Sequence, residues 1–208
     1  MNAKPARKLV IACGALAREI AALRRANGWT ALDVVCLPPE LHNRPERIAP
    51  AVRAKIRAHR PEYSEIFVAY GDCGTRGELD AVLREEGVER IAGAHCYEFF
   101  ATPGAFAALA EAEPGTFYLT DFLLHHFERL VIQGLGIDRH PELLPAYFGN
   151  YRRLVYLAQA PKAESETQAQ AIAVRLGLEY HFHSTGYGGL GHSLAAFAGR
   201  APAVSWRA

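Results

Sequence analysis

Residues 8–16 read Lys8-Leu9-Val10-Ile11-Ala12-Cys13-Gly14-Ala15-Leu16: an apolar run, then a glycine, then the start of a second pattern. Residues 8–12 suit a short strand buried on both faces. Residues 15–26 follow with helical periodicity and stop at Asn27-Gly28, a helix end. Strand, tight turn and helix make the opening unit of an α/β fold, and the rest of the chain repeats it.

Further strands are expected at 32–36, 65–70, 88–92, 116–119, 153–158 and 179–183. Asn43 reads as the N-cap of a helix running to about residue 59, with Pro45 and Glu46 in its first turn. Other helices are expected at 78–86, from 97 to 112 with a break at Pro103-Gly104, and from a Thr120 or Asp121 cap to 131. A short helix at 141–147, one at 164–176 and a closing one at 193–198 complete the set. The expected fold is α/β, an open, mostly parallel sheet flanked by helices (Rossmann-like), with strand order 2-1-3-4 at its start. It is read as a single domain over 1–208. No linker separates 1–113 from 114–208, though these can be taken as two lobes.

The composition agrees. Of 208 residues, 50% are hydrophobic and 22% charged, which excludes a disordered or collagen-like chain. Lys and Arg number 23 against 22 for Asp and Glu, so no net-charge footprint for nucleic acid exists. No apolar run reaches the roughly 18 residues of a membrane helix. Lys4, Arg7 and Lys8 before residues 9–17, with Ala15-Leu16-Ala17 behind, have the outline of a secretory signal. Gly14 interrupts that run, and it reads better as the first strand and turn. The expectation is a cytoplasmic protein that meets neither membrane nor nucleic acid.

The cysteines carry the chemistry. Cys13, Cys36, Cys73 and Cys96 each fall at or just after the carboxyl end of one of the first four strands, the side on which open α/β sheets bind ligands. With order 2-1-3-4 and strands about 4.8 Å apart, Cys13, Cys73 and Cys96 come from adjacent loops. Three soft thiolates there suit zinc or an iron–sulfur cluster with an open position. Cys36 and His42, on the loop after the second strand, are candidates for a fourth ligand. The plain alternative is packing, since cysteine is a small hydrophobe that is often buried.

Neighbouring residues supply the other candidates. In Tyr70-Gly71-Asp72-Cys73-Gly74-Thr75-Arg76-Gly77 the glycines present Asp72, Cys73 and Thr75, and Arg76 suits an anionic substrate group. His95 and Glu98 flank Cys96. Asp72, His95, Glu98 and His42 are thus candidates for moving protons. Each has a structural reading too: a tight strand-to-helix turn for the glycine loop, a favourable first-turn charge for Glu98. Further along, Asn150 and Arg152 before the sixth strand, and Tyr187 in the glycine-rich segment after the seventh, are candidates for holding a polar substrate.

Taken in order, IACGALAREI, LPPELHNRPE, VAYGDCGTRGELD, GAHCYEFF, FYLTDFLLHHFERLVIQGLGIDRHPEL, FGNYRRLVYLAQ and TGYGGL resemble the prokaryotic proteins grouped as domain of unknown function 1638. The resemblance spans nearly the whole chain. It marks Cys13, His42, Asn43, Gly71, Asp72, Cys73, Gly74, Cys96 and Glu98 as hallmark positions. It also implies an association with corrinoid-dependent methyl transfer.

Three functions remain open at this point. The first is a metal-dependent enzyme whose Cys13, Cys73 and Cys96 hold zinc or an iron–sulfur cluster and act on a small molecule, in thiol or one-carbon chemistry. The second is a non-enzymatic accessory protein that carries a metal, or a corrinoid, for a methyl-transfer partner. The third is a thiol redox protein, which requires two of the rim cysteines to form a disulfide.

Overall fold

The structure, a computed structural model, describes residues 7–199; Lys4 of the signal-like segment lies outside them. The described chain divides into two compact units, residues 7–99 with 189–199 and residues 100–188.

The first unit is a four-stranded parallel sheet in the order β2-β1-β3-β4. It is built from β1 (Lys8–Cys13), α1 (Ala17–Asn27), β2 (Leu32–Leu37), α2 (Ile48–His59), β3 (Glu65–Ala69), α3 (Glu78–Glu86), β4 (Glu89–Arg90) and α4 (Cys96–Phe100). The expected strand order holds. β1 is central, and Leu9, Val10, Ile11 and Ala12 are completely buried, as a strand covered on both faces requires. Helix α1 stops where Gly28 takes the left-handed conformation (φ 62°) and donates to the carbonyls of Arg24 and Arg25.

The second unit is a separate parallel sheet in the order β5-β6-β7. It comprises α5 (Pro103–Ala112), β5 (Thr116–Thr120), α6 (Asp121–His125), α7 (Leu144–Phe148), β6 (Arg153–Ala158), α8 (Ser165–Leu176) and β7 (Glu179–Ser184). The chain then returns to the first unit as α9 (Gly188–Ala198). There the Phe197 ring stacks on Phe67 with centroids 5.2 Å apart, and Lys8 Nζ donates to the Phe197 carbonyl at 2.7 Å.

Three expectations need correction. The fold is α/β as expected, but its parallel strands are divided over two sheets, and β4 at the edge of the first pairs only Glu89 with Phe67 and Arg90 with Val68. Asn43 does not cap α2. It ends a 3-10 turn, Pro39–Asn43, and a second such turn, Pro45–Arg47, intervenes before the helix starts at Ile48. The helix expected to run to residue 131 breaks into α6 and a π-helical segment, Glu128–Gln133. Its cap is Thr120, whose hydroxyl accepts from the Leu123 N–H at 3.2 Å.

A candidate sulfur centre at the rim of the first sheet

Cys13 is the last residue of β1, and the register that sets Ala12 beside Ala69 brings the next pair, Cys13 and Tyr70, side by side. Both are buried, Cys13 to 4% exposure and Tyr70 to 2%. The Tyr70 hydroxyl lies against the Cys13 sulfur and meets no nitrogen or oxygen partner. Burial pushes the Cys13 thiol up to about 11 and the Tyr70 phenol well above its ordinary range, so both stay neutral.

Cys73 lies in the loop after β3. It is held in the left-handed region (φ 49°), uncommon for a residue with a side chain. Its N–H donates to the Ala94 carbonyl at 2.8 Å, and the Asp72 N–H donates to Gly93 at 3.2 Å. Gly71 allows this contact: a Cβ there would sit 3.1 Å from the His95 backbone. The loops after β3 and β4 therefore lie directly on one another. The loop after β2 also reaches them, since a Cβ at Gly74 would meet Pro45 at 3.3 Å.

These contacts surround one sulfur. The Cys96 thiol and the His42 and His95 rings lie near enough to Cys73 Sγ to act on its ionisation. The effect of Cys96 is the largest of several that hold the Cys73 thiol well below the ordinary thiol range, against the opposing cost of burial. Cys96 moves the other way, its thiol pKa raised by its close contact with Cys73 and by burial. Of the two thiols, Cys73 is therefore the one that ionises first. The Cys73 thiolate raises the His95 pKa, and the His95 Nδ1 is buried without a nitrogen or oxygen partner.

The other candidates of this unit have mapped places. The Asp72 carboxylate accepts from the Thr75 hydroxyl at 2.6 Å and from the Gly77 and Arg76 N–H groups at 2.9 and 3.1 Å. Desolvation opposes its ionisation, but these bonds outweigh it and lower the Asp72 pKa. Thr75 is buried at 3% exposure and committed to Asp72. Glu98 accepts from the Ala94 N–H at 3.1 Å. Asp72, Thr75 and Glu98 therefore shape the loops that carry the sulfurs. Arg76 is exposed and also left-handed (φ 56°). Cys36 is exposed and pairs with Ala12, so it faces the other side of the sheet from Cys13. Among the described residues no group of three or more His, Cys, Asp and Glu side chains is arranged to hold a metal ion.

The remaining candidates belong to the second unit. Asn150 and Arg152 are exposed at the amino end of β6, whereas Tyr187 follows the carboxyl end of β7. In a parallel sheet these are opposite ends, so the three do not form one site. At the carboxyl rim of this sheet Asp121 and Gln159 are committed to internal hydrogen bonds. Asp121 accepts from the Tyr156 hydroxyl and the Ala160 N–H, each at 2.7 Å. The Gln159 amide accepts from the Asp121 N–H at 3.0 Å and donates to Leu157 and Thr185.

Tyr70 and Arg90 were missed by residue type. Tyr70 had a usable signal, because order 2-1-3-4 places the end of β3 beside Cys13. Arg90, whose fork grips Asp80 at 2.6 and 2.9 Å, had none.

No curated protein and no solved structure matches the chain. The family model described as "Protein of unknown function (DUF1638)" matches residues 36–194, most of the chain, and the protein belongs to that family.

Proposed function

We propose that this protein is a thiol-dependent enzyme acting on a small molecule, with Cys73 as the attacking sulfur and Cys96 as its partner. The observation that carries the reading is the packing of the loops after β2, β3 and β4, which brings Cys96, His42 and His95 to Cys73, where they lower its thiol pKa. A thiolate is the nucleophilic form of cysteine, and a low-pKa thiolate beside a second thiol suits disulfide exchange. The co-reactant is a low-molecular-weight disulfide. Cys73 attacks one of its sulfurs, its S–S bond breaks, and one thiolate leaves. Cys96 gives up its proton, which the departing thiolate takes, and then attacks the Cys73 sulfur of the mixed disulfide. The second half of the co-reactant leaves as a thiolate. Two electrons pass to the co-reactant and a Cys73–Cys96 disulfide remains.

A second reading has its own support. Cys13, Cys73, Cys96 and His42 are a soft donor set at the carboxyl rim, of the kind zinc or an iron–sulfur centre takes. As they stand these side chains do not close on an ion, so uptake would require them to turn toward one another. The methyl-transfer and corrinoid expectation has only the family resemblance behind it.

One experiment separates these readings. The protein is purified without oxygen and without a metal-binding tag, then assayed for zinc, iron and sulfide. It is next titrated with oxidised glutathione, and the disulfides are mapped by mass spectrometry. Metal-free protein that forms a Cys73–Cys96 disulfide supports the thiol reading. Stoichiometric zinc or iron lost in Cys13→Ser, Cys73→Ser and Cys96→Ser supports the metal reading and overturns the first. Metal-free protein that forms no such disulfide overturns both.

A further inference from the structure

Arg90 ends the two-residue strand β4, and its guanidinium is used on two sides. Nε and Nη2 donate to the two Asp80 oxygens at 2.6 and 2.9 Å. Nη1 donates to the main-chain carbonyls of Ile91 at 2.9 Å and Gly93 at 3.1 Å. One planar fork thus ties α3 to the turn after β4. The Gly93 carbonyl it grips also accepts the Asp72 N–H, and the next carbonyl, Ala94, accepts the Cys73 N–H. Two residues later the chain reaches Cys96. The platform held by Arg90 therefore carries one sulfur on its own chain and the other through a main-chain bond.

From this geometry we propose that Arg90 is the positioning residue of the sulfur centre: clamped by Asp80, it fixes residues 91–95 and so sets the approach of Cys96 to Cys73. This inference rests on the thiol reading above. β4 pairs with β3 through only two residues, so the sheet supplies little of that rigidity, and the guanidinium adds to what the Asp72, Cys73 and Glu98 bonds to residues 93–94 provide. A lysine carries the same charge but a single ammonium, which cannot serve a carboxylate and two carbonyls in a fixed plane.

The test compares wild type with Arg90→Lys and Asp80→Asn. Two quantities are read: the rate of Cys73–Cys96 disulfide formation in oxidised glutathione, and the pH midpoint of Cys73 alkylation by iodoacetamide. Thermal unfolding of the same samples reports folding. Arg90→Lys is expected to slow disulfide formation about tenfold and to move the alkylation midpoint upward, with Tm lowered by only a few degrees. Asp80→Asn, which leaves Arg90 in place, is expected to show the same changes to a smaller degree. It also serves as the variant should Arg90→Lys fail to fold. Variants that lose Tm while both sulfur readings stay at wild-type values would show Arg90 to be a structural residue only and overturn the proposal. A wild type that forms no disulfide and titrates like a free thiol overturns the thiol reading, and the role of Arg90 with it.

Discussion

Cys73 and Ala94 are joined by a main-chain hydrogen bond of 2.8 Å, two residues before Cys96. Two loops that follow different strands are thereby fixed to one another before any ligand arrives. The sulfur pair is thus preorganised through the backbone that carries it.

Cys73 is expected to react at acid pH. Its thiol is held below the ordinary range by Cys96, His42 and His95, so it stays thiolate where a free thiol is protonated. In a Cys36→Ser background, iodoacetamide should label one cysteine at pH 6 nearly as fast as at pH 8, and peptide mapping should place it at Cys73. His42→Ala and His95→Ala should each slow labelling at pH 6 several-fold more than at pH 8. Labelling that rises tenfold per pH unit up to pH 8 would contradict the thiolate assignment.

Cys13 makes the fold sensitive to alkali. Its folded pKa, about 11, lies above the 9.0 of an unburied thiol. Between those values the unfolded chain has released the proton and the native state still binds it, so stability falls as pH rises. The loss begins near pH 9 and amounts to about 2–3 kcal/mol by pH 11, at roughly 1.4 kcal/mol per unit. Urea unfolding at pH 8 and pH 10.5 should show wild type losing more stability than Cys13→Ala over that interval. Parallel losses in the two proteins would rule Cys13 out as the source.

Asp72→Asn tests the loop. The carboxylate accepts one hydroxyl and two main-chain N–H bonds, and its replacement should cost about 1–3 kcal/mol. Its depressed folded pKa gives stability that is present above about pH 4 and lost as pH falls through the folded value. Wild type and variant should therefore differ at pH 7 and converge toward pH 2. A constant difference across that range would mean that the asparagine changes packing and the charge is irrelevant.

Gln159→Leu tests the second rim. Gln159 is 7% exposed and its amide binds Asp121, Leu157 and Thr185. Leucine fits the volume but strands the Asp121 N–H and removes the donor facing the Leu157 carbonyl, a cost of about 2–3 kcal/mol. Cys73 alkylation should be unchanged, because all its contacts lie in the first unit. A variant as stable as wild type would show that water replaces these bonds without loss.

The first four strands and their order were readable because each strand–helix unit is short and closed by a clear stop such as Gly28 or Gly87. The gathering of Cys13, Cys73 and Cys96 followed from that order. The division into two sheets was left open, as the two lobes 1–113 and 114–208. The shortness of β4 was not readable: only Glu89 and Arg90 pair, whereas the run from Val88 to Ala92 looks like any other strand. The cap at Asn43 failed because Pro39 and Pro45 each start a 3-10 turn, which local capping preference does not foresee. The roles of Asp72 and Arg90 depend on main-chain groups brought near by folding, and no residue pattern announces those.

Helix α9 bears on how the protein is made. Its buried residues Leu190, Leu194 and Ala195 and the Phe197 ring complete a unit whose other elements all precede residue 100. On the ribosome, the sheet that bears the sulfurs therefore emerges early and waits, while the continuous stretch 100–188 can fold as it is synthesised. Until α9 leaves the exit tunnel, the face of β3 that Phe67 presents to Phe197 stays uncovered. A nascent chain stalled before residue 188 would carry the first sheet with an apolar face still open to water, the kind of surface that makes incomplete chains prone to aggregate.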